Sequence, residues 1–81
     1  MSIQNSHIAV KLRDAMEAYR ARTGERLTYA ALAERTGIAE ATLQSLAARA
    51  EYNTRLSTIA RLCSALGCQP GDILELTEEG A

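Results

Sequence analysis

The chain has 81 residues and a formal net charge of −1, and its apolar residues are mostly alanine and leucine, without phenylalanine or tryptophan. This length is that of one small domain, and the composition favours helices packed without large aromatic anchors. No apolar run approaches the roughly 18 residues needed to cross a bilayer, and the opening MSIQNSHIAV lacks the features of a signal peptide. We therefore expect a cytoplasmic protein without membrane contacts.

Cysteines and candidate catalytic groups are too sparse to indicate metal binding or enzyme chemistry. Cys63 and Cys68 are separated by four residues, and His7 is the one histidine of the chain. This is too little for a zinc site or a disulfide framework. Paired carboxylates, a nucleophile with its base and a glycine-rich phosphate loop are also missing from the pattern. We expect no metal, no cofactor and no enzymatic activity.

Charge is distributed unevenly along the chain. From Asp72 onward the sequence has four acids and no cation, whereas residues 1–71 carry nine Lys and Arg against six acids. A mildly basic body with an acidic end is compatible with DNA binding, although it does not require it.

The first element is open to two interpretations. Ile8 and Val10 alternate with less apolar neighbours, which indicates a short strand near 7–10 followed by a helix to about Arg22. A single helix capped by Ser6 fits the same residues equally well. In either case Gly24 ends the helix by supplying a left-handed cap.

Two short helices follow in the middle of the chain. Thr28 is suited to cap the helix TYAALAERT, and Gly37 ends it. The next helix is predicted over residues 40–49, with Leu43 and Leu46 on its inner stripe. Residues 50–55 have the polar character of a loop.

The last third of the chain predicts a longer helix and a short closing segment. Ser57 is a candidate cap for a helix that continues through Leu66 and places Cys63 on its apolar stripe. Pro70 suits the first position of a further helical turn. Leu74 and Leu76 alternate with an acid between them, so this end could be a strand that pairs with residues 8–10. Cys63 is predicted to be a core residue, and a redox switch with Cys68 is a secondary hypothesis.

Two short helices joined by a glycine-containing turn form the helix-turn-helix pattern, in which the second helix lies in the DNA major groove. Ala33, four residues before Gly37, is small enough for the helices to cross closely. Apolar residues that would hold the two helices at a fixed angle are Leu32, Ile38, Leu43 and Leu46.

The stretch LTYAALAERTGIAEATLQSL resembles the phage repressor and Cro type of helix-turn-helix, also known as the xenobiotic-response-element family. STIARLCSALGCQPGDILEL is similar to the closing helices of small regulators in that superfamily. The resemblance implies an all-α, compact five-helix repressor-like domain, to which the two end segments can add a short two-stranded β pair. It implies a single domain over 1–81, with the motif at about 28–48 and with a flexible arm (1–6) and tail (77–81).

The resemblance places a recognition helix at residues 39–48. Its predicted base-reading residues are Ala39, Glu40, Ala41, Gln44, Ser45 and Ala48. Gln44 could pair with adenine N6 and N7, Glu40 could accept from cytosine N4, and Ala41 could contact a thymine methyl. Alternatively, Glu40 only favours the helix dipole, and Gln44 and Ser45 are ordinary solvated residues.

Contacts to the DNA phosphates would supply most of the affinity. The predicted phosphate contacts are Thr28, Tyr29, Thr42, Arg49, Asn53, Thr54 and Arg55, and Arg26 is a further candidate. The recognition helix and its loop contain only two cations, so a homodimer on a pseudo-palindromic site would compensate for weak half-site binding. Residues 73–76 could form the dimer face or equally close the monomer core.

The leading functional hypothesis is a sequence-specific regulator of transcription that binds double-stranded DNA and represses a promoter. A narrower form is the antitoxin or controller component of a small operon. The main alternative is a protein-interaction module that uses the same fold to bind a protein partner, and the nearly uncharged face of residues 39–48 favours it. An enzyme is the poorest of the three classes.

Overall fold

The computed structural model describes residues 5–49 and 53–79. These residues form five helices and two strands. In chain order these are β1 (Asn5–Val10), α1 (Leu12–Thr23), α2 (Tyr29–Thr36), α3 (Glu40–Ala48), α4 (Leu56–Leu66), α5 (Pro70–Ile73) and β2 (Leu74–Glu79). The five-helix repressor-like architecture predicted from the sequence is confirmed.

The two ends of the described chain form an antiparallel ribbon. Ile8 lies opposite Leu76, and Val10 lies opposite Leu74. The strand interpretation of the N-terminal segment is therefore right, and a single helix beginning at Ser6 is wrong. Residues 5–6 and 77–79, which were assigned to a flexible arm and tail, belong to this ribbon, where backbone pairing holds both segments. Residues 1–4 and 80–81 lie outside the described residues.

A core of leucine and isoleucine joins the five helices. Its largest fully buried side chains are Leu12, Leu32, Leu43, Leu46, Leu62, Leu66 and Ile73. Ile59 and Cys63 are also buried, as the apolar stripe of α4 predicts. Burying a leucine or isoleucine side chain stabilises the fold by about 1.5 to 3 kcal/mol, so the pattern of leucines is enough to hold such short helices together.

The helix boundaries confirm most of the predicted end signals. Thr28 caps α2, and glycines in the left-handed conformation follow α1, α2 and α4. The predicted cap at Ser57 is wrong, because Arg55 is the extended N-cap residue and α4 begins at Leu56. The Arg55 carbonyl accepts the N–H groups of Thr58 and Ile59, so Ser57 already lies in the first turn.

Arg22 connects the end of α1 to the end of α4. Its guanidinium donates to the Leu66 carbonyl oxygen at 2.6 Å and lies 5.6 Å from the centre of the Tyr19 ring. The last carbonyls of a helix have no partner within the helix, so this contact satisfies one of them. It also joins the C-terminal end of α1 to the C-terminal end of α4.

Candidate nucleic-acid interface

The turn between α2 and α3 is held by side-chain and backbone hydrogen bonds. Gly37 has φ of 75° and donates its N–H to the Ala33 carbonyl at 2.8 Å. A side chain at this φ would be strained, which explains why a glycine stands between the helices. The nearest atom to an added Cβ is Arg61 Nη1 at 3.9 Å, so the requirement is one of conformation and not of space.

Thr36 is a buried polar residue that the sequence analysis overlooked. Its hydroxyl donates to the Leu32 carbonyl at 2.7 Å and accepts the N–H of Ile38 at 3.2 Å. One side chain thus ties the last turn of α2 to the residue that follows Gly37. The orientation of α3 relative to α2 depends on this bridge together with the packing of Ile38, Leu43 and Leu46. The sequence feature that could have indicated this bridge is the threonine directly before Gly37.

The predicted base-reading residues mostly lie on the exposed side of α3. Ala39 is the N-cap residue, and it is exposed together with Glu40, Ala41, Gln44 and Ala48. Ser45 is half-buried. Leu43 and Leu46 are fully buried, so the opposite side of α3 is fixed in the core. The helix ends at Ala48, one residue earlier than predicted, because Arg49 is extended.

Glu40 and Gln44 are joined by a hydrogen bond on the surface of α3. Gln44 Nε2 donates to Glu40 Oε2 at 3.4 Å. A primary amide has two N–H groups, so Gln44 could keep this contact while its other N–H donates to adenine N7 and its carbonyl accepts from adenine N6. The carboxylate therefore holds the amide in an orientation that is compatible with base reading.

The predicted phosphate contacts fall into two clusters at the ends of the motif helices. Thr28 is exposed and Tyr29 is half-buried at the start of α2, where the Thr28 hydroxyl accepts the Ala31 N–H at 3.1 Å. Arg49, Asn53 and Arg55 are exposed after α3. Half-buried residues among the predicted contacts are Tyr29, Thr42 and Thr54. Residues 50–52 of the loop lie outside the described residues.

A basic groove of 460 Å³ runs beside the start of α2, and it includes cations that the sequence analysis did not assign to DNA. Arg13, Arg20 and Arg26 line it together with Glu17, Thr28 and Tyr29, and Arg20 Nη1 lies 3.4 Å from Glu17 Oε1. Arg13 and Arg20 are seven residues apart and therefore share one side of α1. That spacing could have identified them as a pair, but only the folded chain brings α1 next to Thr28. Arg26, a further phosphate candidate from the sequence, lies in this groove beside two cations from α1.

Arg35 is occupied within the fold. Its Nη2 lies 2.7 Å from Glu25 Oε2, and its Nη1 donates to the Tyr19 hydroxyl oxygen at 3.2 Å. The Tyr19 hydroxyl in turn donates to Glu25 Oε1 at 2.9 Å. Hydrogen bonds from Tyr19 and Arg35 lower the pKa of Glu25, and contacts with Tyr19 and Glu25 raise the pKa of Arg35. This exposed network fixes residues 24–28, which lead into the basic groove.

The two cysteines are both free thiols. Cys63 is buried and Cys68 is half-buried. Burial, reinforced by the neighbouring Cys63, raises the pKa of the Cys68 thiol to about 11.

Within residues 5–49 and 53–79, no group of three or more metal-ligating side chains comes together. In the same ranges, no helix has both the length and the apolar character that a bilayer span requires.

A hydrogen-bonded turn that sets α3 against α2, an exposed polar stripe on α3 and a basic groove beside α2 define a helix-turn-helix DNA-binding domain. Comparison with known proteins agrees: the model of the Cro/C1-type helix-turn-helix DNA-binding domain matches residues 24–79. The chain belongs to this family. The resemblance stated from the sequence is thereby confirmed.

Two similar proteins are transcriptional regulators by name. The chain is 52% identical over 44 residues to the uncharacterized HTH-type transcriptional regulator YozG of Bacillus subtilis (strain 168). This match covers 54% of the chain, and the chain spans about half (52%) of the length of that relative. The crystal structure of the transcriptional regulator VanUg has the same fold, with a TM-score of 0.66 over 98% of this chain and 96% of that one, at 20% identity.

Proposed function

We propose that the protein is a non-enzymatic transcriptional regulator that binds a specific sequence of double-stranded DNA in the cytoplasm and represses a promoter by occupying it. The observation that carries this proposal is the exposed stripe of Glu40, Ala41 and Gln44 on a helix whose other side is anchored by Leu43 and Leu46. A rigidly held helix with polar groups on its open side can read base edges in the major groove.

We propose that most of the DNA-binding energy comes from phosphate contacts at both ends of the helix-turn-helix motif. Thr28, Tyr29 and Arg26 would contact one stretch of phosphates, with Arg13 and Arg20 beside them in the basic groove. Arg49, Asn53, Thr54 and Arg55 would contact another, and Thr42 would reach a phosphate from α3. Base-reading contacts would come from Ala39, Glu40, Ala41, Gln44, Ser45 and Ala48. Base contacts from α3 and phosphate contacts mostly from the residues around it are consistent with the absence of cations from α3.

We further propose that the regulator acts as a homodimer on a pseudo-palindromic operator. A single α3 offers few groups that can discriminate bases, and two half-sites about one helical turn apart would combine two modest contacts. Selection of binding sites from random duplex DNA tests the proposal directly. A selected motif with two symmetric halves supports it, a single half-site contradicts the dimer, and no enrichment contradicts DNA binding.

A protein-interaction role, including that of an antitoxin or controller component, is the second candidate. The observation in its favour is the composition of α3, where five of the nine residues are alanine or leucine. Salt dependence separates the two roles. Binding to DNA should weaken steeply as salt rises, because each phosphate contact releases counterions, whereas an apolar protein contact should change little.

A further inference from the structure

The outer half of the ribbon has an exposed apolar face. Ile8 and Leu76 are opposite each other in the strand register, and their exposed fractions are 51% and 60%. Val10 and Leu74, one pair closer to the helices, are buried and half-buried. Side chains alternate along a strand, so these four residues share one face. The ribbon thus packs on the helical body with its inner half only.

Leu56, the first residue of α4, lies across a groove from this face. Its exposed fraction is 81%, the largest of any large apolar side chain in the described ranges. The groove has a volume of 460 Å³ and is lined by the ribbon on one side and by Asn53, Thr54, Leu56 and Ile59 on the other. We refer to it as the ribbon groove. Ile8 and Leu56 line it, and Leu76, the third large apolar side chain that the described part of the chain exposes, lies opposite Ile8 in the strand register.

Such a cluster indicates a surface that is covered in the functional state. Scattered exposed leucines are normal, but a grouped apolar patch is typical of an interaction site. In addition, a two-stranded ribbon is only marginally stable in water unless a further layer packs on it. Ile73, which the sequence analysis considered together with Leu76 for a dimer face, is fully buried and closes the monomer core. Leu76 is the part of that segment that faces outward.

The exposed apolar side chains are flanked by opposite charges. Arg55, which directly precedes Leu56, is exposed, and residues 53–71 contain no acid. Glu78 is exposed on the same face of β2 as Leu76, and residues 72–79 contain no cation. An apolar patch with a basic flank and an acidic flank is complementary to itself under a two-fold rotation, because each flank can then meet its opposite on the other copy.

We propose that a second copy of this chain covers the ribbon groove, so that the ribbon of each copy packs against Leu56 of the other and Arg55 faces Glu78 across the two-fold axis. This inference deepens the proposed function by assigning the surface that forms the dimer. Residues 53–55 would then serve both the dimer contact and the adjacent DNA phosphates.

The test is sedimentation equilibrium of the full chain without DNA, comparing Leu56→Glu with Ser57→Glu. Both changes place one acid in the first turn of α4, where the helix dipole favours it, so both variants should fold. Ser57 is exposed but does not line the groove. We expect Leu56→Glu to raise the dimer dissociation constant tenfold or more and Ser57→Glu to leave it near that of the unmodified chain. Equal effects of the two changes would overturn the assignment, as would an unmodified chain that stays monomeric at high concentration.

Charge reversal tests the proposed pairing of Arg55 with Glu78. Arg55→Glu and Glu78→Arg should each weaken the dimer, and the double variant should recover most of the loss because the pair is restored with its signs exchanged. Glu75→Arg is the matched control, since Glu75 lies on the opposite face of β2 and should have no such effect. Lack of recovery in the double variant would overturn the Arg55–Glu78 contact.

DNA binding is measured separately on the same proteins. A chain that binds operator DNA but never dimerises contradicts the ribbon-groove dimer and leaves the DNA-binding function standing. A chain that dimerises through Leu56 without binding DNA contradicts the proposed function and leaves the dimer surface standing. Binding of another protein to a monomeric chain at Leu56 would also overturn the second copy as the occupant.

Discussion

Gln44 donates a hydrogen bond to the carboxylate of Glu40, one turn earlier on the exposed side of α3. The two side chains with the greatest capacity for base recognition on this helix therefore do not act separately. The carboxylate limits the rotamers of the amide, and a group that is already ordered loses less entropy when it binds. The specificity of the protein is expected to depend on the pair.

The first prediction concerns this pair. Gln44→Ala should relax the base preference at one position of each half-site and cost about 1 to 3 kcal/mol of discrimination there. Glu40→Ala should change the preference at the same position as well, because the Gln44 amide then loses its acceptor. Competition titration against single-base variants of the selected operator measures both effects. If Gln44→Ala leaves affinity and preference unchanged, the proposed register of α3 on the bases is wrong.

The second prediction separates phosphate contacts from structural cations. Arg26→Ala and Arg49→Ala should weaken binding to all sequences alike and reduce the slope of log K against log salt by about 0.9 for each lost phosphate contact. Arg35→Ala is the comparison, because Arg35 is held by Glu25 and Tyr19. It should leave the slope unchanged. A slope that stays constant in Arg26→Ala would exclude the basic groove from the DNA interface.

The third prediction concerns the bridge at the turn. Thr36→Val keeps the shape of the side chain but leaves the Ile38 N–H and the Leu32 carbonyl without their hydroxyl partner. We expect a loss of about 1 to 3 kcal/mol in the free energy of unfolding, measured by urea denaturation. Thr42→Val, at a half-buried position on α3, should have a much smaller effect on stability while lowering DNA affinity. Equal stability losses in the two variants would show that the bridge has no special role.

The fourth prediction is a pH dependence of stability. The contacts of Glu25 with Tyr19 and Arg35 lower its pKa below the ordinary value of 4.5, so the unfolded chain binds a proton more readily than the folded one. The contribution of this carboxylate to the free energy of unfolding is complete at a pH above its ordinary pKa. It is lost as the pH falls through the lowered pKa of the folded state. The melting temperature of Glu25→Gln should therefore fall less steeply in acid than that of the unmodified chain. Parallel acid profiles of the two proteins would contradict this role.

The fifth prediction concerns the thiol of Cys68. A pKa raised from 9.0 to about 11 reduces the fraction of Cys68 that is thiolate at neutral pH. A more basic thiolate is also a stronger nucleophile, but this offsets only part of the loss in reaction rate. Alkylation by iodoacetamide should be about tenfold slower in the folded protein than in the chain unfolded by denaturant. Cys68→Ser, which leaves Cys63 as the one thiol, identifies the residue responsible. Rapid modification of the folded chain, or loss of DNA binding in mild oxidant, would favour the redox-switch hypothesis.

The sequence by itself determined the local structure of this protein. The spacing of its leucines predicts which sides of the helices are buried, and Thr28 and Gly37 mark the two ends of α2. These signals depend on φ angles, backbone donors and periodicity within a few residues, so they can be recognised in a single sequence. The pairing of the end strands was also foreseeable, because both ends alternate apolar and polar residues.

Tertiary structure alone decided which distant residues meet. The groove that joins Arg13 and Arg20 to Thr28, the network of Tyr19, Glu25 and Arg35, and the clustering of Ile8, Leu56 and Leu76 all involve separate elements. The start of α4 is a further example. This helix begins at Leu56, and not after Ser57, because backbone N–H groups donate to the Arg55 carbonyl. The capping preferences of side chains do not reveal these hydrogen bonds. Such contacts follow from the packing of helices around a shared core, and no periodicity within one segment encodes that arrangement.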